Sequence, residues 1–116
     1  MFLVSDKVKK YIEFLESSFE GCNYYIDNNI LYIMTEKSKF KVNLSDGSRF
    51  KKYAIYHCSN DMTNYHKQID ANNIYYGLFY IYTHDFNRKY GIKFAKEDYI
   101  RFRNDFNGKV LHENIL

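Results

Sequence analysis

His57 and Cys58 are adjacent, and His66 follows eight residues after Cys58. A thiol beside an imidazole can be deprotonated into a nucleophile. Cys58, His57, His66 and Cys22 together also hold the donor types of a tetrahedral zinc site. The spacing argues against both, because neighbouring residues point apart on a strand and diverge on a helix. A buried cysteine and satisfied or exposed histidines are therefore expected, with no catalytic residue and no metal ligand. His84 opens a polar run with Asp85, and His112 lies close to the last residue; both are expected in solvent. Glu97 and Asp98 are adjacent acids, and stabilising the start of a helix accounts for them.

Other chemistry is missing from the spacing. The glycines stand singly at 21, 47, 77, 91 and 108, which leaves no phosphate-cradling loop, dinucleotide fingerprint or serine elbow. None of the 14 acids is followed two residues later by lysine, the pairing with which many nucleases hold a metal and a phosphate. There is no His-Glu-x-x-His. The His-x-Ser/Thr element of a phosphoesterase occurs once, at His57–Ser59, where two copies are needed. Two cysteines make no disulfide framework. No enzyme activity and no cofactor are expected.

Binding is better represented. The 116 residues include 13 tyrosines and 10 phenylalanines but no tryptophan or proline, a bias that AT-rich coding also produces. That is more ring area than a core of this size needs, and surplus tyrosine suits a docking surface. Net charge is +3. Lysine and arginine concentrate in 37–52 (Lys37, Lys39, Lys41, Arg49, Lys51, Lys52) and in 88–103 (Arg88, Lys89, Lys93, Lys96, Arg101, Arg103). The expected contact residues are Lys39, Lys41, Tyr75, Tyr90, Arg101 and Arg103.

The elements that must position these residues read as follows. Val8, Tyr11, Ile12, Leu15 and Phe19 have helical spacing between a Ser5 cap and Gly21. Cys22–Ile26 and Ile30–Thr35 form a hairpin through Asp27-Asn28-Asn29, with the second strand central. Lys39–Leu44 alternates cleanly, with Phe40, Val42 and Leu44 on one face. Ser45–Ser48 is a turn. For 50–58, Phe50, Tyr53, Ala54, His57 and Cys58 fit helical spacing with Ser48 as cap, and Tyr53–Cys58 reads equally as a fourth strand. Paired across a two-residue Asp46-Gly47 turn that strand would mix faces, so a longer loop or a helix fits better. The stretch 61–71 reads as a short polar helix capped by Asp61. For 74–83, Tyr75, Leu78, Phe79, Tyr82, Phe86 and Tyr90 make a helical stripe that Lys89-Tyr90-Gly91 would close, but a strand is favoured by the aromatic, β-prone composition and by Gly77. Residues 92–94 form a short strand, and a last helix runs from 95 to 106, stopped by Asn107-Gly108.

These elements make one α+β domain over residues 1–116, an antiparallel sheet of four to five strands with the N-terminal and C-terminal helices packed on one face. The opening Met1–Asp6 carries no signal-like apolar stretch, and the longest apolar run, 73–83, is short of a membrane span, so a cytoplasmic protein is expected. The expected function is a small non-catalytic protein-binding protein, of the kind a phage or mobile element uses to inhibit a host enzyme such as a defence nuclease. The alternative is a nucleic-acid-binding module using stretches 37–52 and 88–103. A homodimer is a further expected partner state.

Overall fold

The computed structural model describes residues 6–19, 22–47, 51–59, 63–91 and 94–115, with side chains left out for 85–90 and 111–115. Helix α1 spans Asp6–Ser18 and buries Tyr11, Ile12 and Leu15 on the stripe read from the sequence. Its expected cap Ser5 and stop Gly21 lie outside the described residues.

A five-stranded antiparallel meander follows, in the order β1-β2-β3-β4-β5. β1 (Asn23–Asp27) and β2 (Ile30–Met34) are joined by Asn28 and Asn29, both with positive φ (51° and 66°). Two left-handed residues give the hairpin turn whose twist matches its strands, and asparagine tolerates that backbone best among residues with a side chain. Thr35 closes the next turn: its amide donates to the Ser38 carbonyl (2.9 Å), and the Ser38 amide donates to its hydroxyl (3.1 Å). This fixes β3 (Ser38–Asn43) against β2, so that Leu31 faces Val42 and Ile33 faces Phe40.

In the middle of the chain, the sequence leaves 50–58 open between a helix and a strand across a longer loop, and the strand is what forms; the two segments after it depart from the sequence reading. Tyr53–Ser59 is strand β4, paired with β3 through Lys41↔Tyr56 and Phe40↔His57. The expected obstacle, faces mixed by a two-residue turn, does not arise because the connection is longer and shifts the register. His66–Ala71 is strand β5, not a polar helix; Ile69 and Ala71 turn inward opposite Ile55 and Tyr53. Its expected cap Asp61 lies outside the described residues. Between Ile55↔Ile69 and Tyr56↔Lys67, β5 has one extra residue, Gln68, a bulge that sets Lys67 opposite Tyr56.

Ile74–Tyr90 is helix α2, where a strand was expected. Its ends explain the outcome. The Asn73 side chain accepts from the Tyr76 amide (2.8 Å), and Gly91 caps the other end with φ 65°. With β5 already at the sheet edge, the helical stripe Leu78, Phe79 and Tyr82 is buried instead. Gly77 marks where α2 meets the sheet: a Cβ there would lie 3.1 Å from Ile55 Cδ1 and 3.3 Å from Ala71 Cβ. Of the strand expected at 92–94, only Phe94 is described, and it lies outside any strand. Helix α3 spans Lys96–Ile115 and runs through Asn107-Gly108, the expected stop.

The helices pack on one face of the sheet, as expected of an α+β fold. Leu31, Ile33, Phe40, Val42 and Ile55 form the floor of the core; Tyr11, Leu15, Leu78, Ile81, Tyr82 and Phe106 cover it. Burying each such side chain contributes about 1.5–3 kcal/mol. Rings join the helices: Phe102 packs 5.6 Å from Phe19 and 5.4 Å from Phe79, centroid to centroid. The Tyr82 hydroxyl donates to Glu16 (2.7 Å), tying α2 to α1.

Candidate functional site: the open face of the sheet

Strand alternation sends every second residue away from the helices, and the described residues put no helix on that side. The register then builds a row across all five strands. Tyr25 pairs with Tyr32, Tyr32 with Lys41, Lys41 with Tyr56, and Tyr56 with Lys67. Paired residues in antiparallel strands share a face, so three rings and two ammonium groups line one transverse track. None of these rings belongs to the core cluster. A second row runs beside it, Asn23–Met34–Lys39–Cys58.

The side chains interact along the track. Tyr25 and Tyr32 stack with centroids 4.8 Å apart and planes within 15°. Lys41 Nζ lies 4.4 Å from the Tyr65 ring and 5.8 Å from the Tyr56 ring, a cation held over two π faces. Tyr65 sits above Cys58, which is buried; partial burial, with Cys58, Tyr25 and Tyr32 adding to it, pushes the Tyr65 hydroxyl above its usual pKa. Tyr25 (52%) and Met34 (39%) are the large apolar side chains left most open here.

Charge is unevenly spread. The two rows carry Lys39, Lys41 and Lys67 and no acid. Among the described strand residues, the acids of this face lie off the rows, at Asp27 and Asp70. Asp70 also lines a shallow open hollow with Asp46, Lys52, Ala54 and Tyr56. An anionic ligand is attracted to the lysine rows and repelled from the acid-lined end of that hollow.

The expected contact residues divide between two sides of the molecule. Lys39 and Lys41 lie on the open face. Tyr75, Arg101 and Arg103 lie in the helical layer, on the other side of the sheet. The Arg103 guanidinium stacks 3.8 Å from the Tyr75 ring and 5.5 Å from the Tyr11 ring, packing α3 against its neighbours. Arg101 pairs with Asp98 (2.9 Å). Tyr90 is in the last turn of α2, and its side chain lies outside the described ones. Stretches 37–52 and 88–103 therefore do not share a patch through these side chains. Tyr25, Tyr32, Tyr56, Tyr65 and Lys67 were missed. A signal for the first pair existed, because a two-residue turn at Asn28–Asn29 already places Tyr25 opposite Tyr32.

His57 and Cys58 take opposite faces of β4, as the spacing requires. His57 faces the helical layer against Phe40 (4.9 Å), His66 (5.3 Å) and His84 (5.0 Å), with Nε2 3.2 Å from Ser38 Oγ. His84 is thus packed against Phe40, not free in solvent as expected. Among the described residues no group of three or more histidines, cysteines or acids is arranged to hold a metal ion. No described helix is long and apolar enough to cross a membrane. No protein-family model matches the chain, nor does any curated protein or solved structure.

Proposed function

We propose that the protein binds nucleic acid through the open face of its sheet. The observation that carries this is the Tyr25–Tyr32–Lys41–Tyr56–Lys67 row, where stacking surfaces and cations share one line free of acids. Phosphates take the ammonium groups and bases take the rings. Exposed Tyr25 and Met34 would also suit a protein partner, the leading expectation from the sequence. Lysine inside the patch favours nucleic acid: protein interfaces are depleted in it, and phosphate contacts depend on it.

The test is a binding titration of an oligonucleotide against salt. Two to three phosphate contacts predict a log–log slope of about −2, from about −0.7 per phosphate on a single strand. Lys41→Gln should reduce that slope by about 0.7 and weaken binding, while Arg101→Gln, in the helical layer, should change neither. Absence of binding at low salt, or loss on Arg101→Gln but not on Lys41→Gln, overturns the proposal.

A further inference from the structure

We infer that the ligand is a single strand laid across the β-strands along the tyrosine–lysine row, with a footprint of about three to four nucleotides. This rests on the nucleic-acid reading above and adds the form and path of the ligand.

The path follows from the register. Five strands separated by four steps of about 4.8 Å make the row about 19 Å long. That is comparable to the four-stranded sheets that stack about two or three bases of an RNA strand. Any ligand aligned with a single β-strand would meet at most two of these five side chains; only a transverse one meets all of them. The neighbouring row sets which side the phosphates take. It supplies Lys39, whereas Asp27 and Asp70 stand on the other side of the track. The sugar–phosphate backbone therefore runs toward Lys39, with Lys41 and Lys67 beneath it. Lys67 is tied to Asp70 at 3.1 Å, but both side chains are widely exposed, 54% and 41%. An exposed pair of this kind contributes about 1 kcal/mol at most, so a phosphate can take the lysine over.

The single-stranded form follows from the rings. A duplex hides the faces of its bases inside its own stack and offers a tyrosine nothing to stack on. Unpaired bases offer a π face regardless of sequence. A duplex could use the lysines alone, leaving Tyr25, Tyr32 and Tyr56 idle.

The experiment is fluorescence anisotropy on the whole chain with labelled thymidine and uridine oligonucleotides of increasing length, and with a duplex as long as the longest. Affinity should rise up to about four nucleotides in at least one of the two chemistries and then flatten. The duplex should bind at least about tenfold more weakly at the same salt. Tyr32→Ala and Tyr56→Ala should each weaken the single strand about tenfold, while Tyr32→Phe and Tyr56→Phe keep most of the affinity. Circular dichroism of each variant checks that the fold is intact. Equal or tighter binding of duplex, no plateau in either series, or alanine variants that bind like the parent overturn the single-strand inference. In each of those cases a salt-dependent Lys41 effect leaves the nucleic-acid reading standing. No binding of any oligonucleotide at low salt removes both.

Discussion

Lys41 shows how much a single position can be asked to do. It lies opposite Tyr32 on one strand and Tyr56 on the other, and its ammonium is held over Tyr65 and Tyr56. An ammonium held over rings has already lost side-chain freedom, which would reduce the cost of ordering it on the proposed phosphate. Tyr11 is the opposite kind of residue. It is fully buried, and its hydroxyl has no hydrogen-bond partner among the described residues. Burial, more than its charged and tyrosyl neighbours, pushes its pKa well above the ordinary value. The neutral form is thus favoured in the fold, and stability from this group is whole below about pH 10 and falls as pH rises above that. Tyr11→Phe removes an unsatisfied hydroxyl and this titration together. It should leave stability at neutral pH unchanged or raise it by about 1 kcal/mol, and move the alkaline unfolding midpoint upward. Denaturant melts at neutral and alkaline pH check both; a variant clearly less stable at neutral pH would show that the hydroxyl has a partner.

At the scale of elements, β4, β5 and α2 carry the lesson about sequence. Helix α1, the first hairpin and β3 were legible because their periodicity and turn residues agreed. β4 was not, because its register depends on a connection whose length the turn residues did not reveal. β5 is polar on the open face and has a bulge at Gln68, so its alternation is broken where it would have been informative. The aromatic run at 74–83 satisfied both periods. Asn73 at its start and Gly91 beyond its end were the deciding signals, while Gly77 pointed the wrong way. Gly77 reflects close approach, not strand character, and this can be tested. Gly77→Val should cost about 1–3 kcal/mol because a side chain collides with Ile55 and Ala71. Gly108→Ala, in α3 with open space around it, should add about 0.5–1 kcal/mol through helix propensity alone. Chemical denaturation compares the two; equal effects would mean that α2 does not press on the sheet there.

At the scale of the molecule, the two faces of the sheet divide the labour. One holds the helices and the phenylalanines, where Arg103 serves packing. The other gathers Tyr25, Tyr32, Tyr56 and Tyr65, which answers where tyrosines beyond the needs of the core go. The placement of Lys39 and Lys41 on the face away from the core was legible because strand β3 alternates so cleanly. Their aromatic neighbours were not, since Tyr56 belongs to a segment open between helix and strand and Tyr65 to one read as a helix. The surplus of rings was a composition signal; its address was a matter of register. Amide shift mapping on the isotope-labelled chain, titrated with a single-stranded oligonucleotide, tests the open face most directly. The account predicts shifts centred on Tyr25, Tyr32, Lys41, Tyr56 and Lys67, with Tyr75, Arg101 and Arg103 unmoved. Shifts centred on the helical layer with the sheet face silent, or no shifts at low salt, would contradict it.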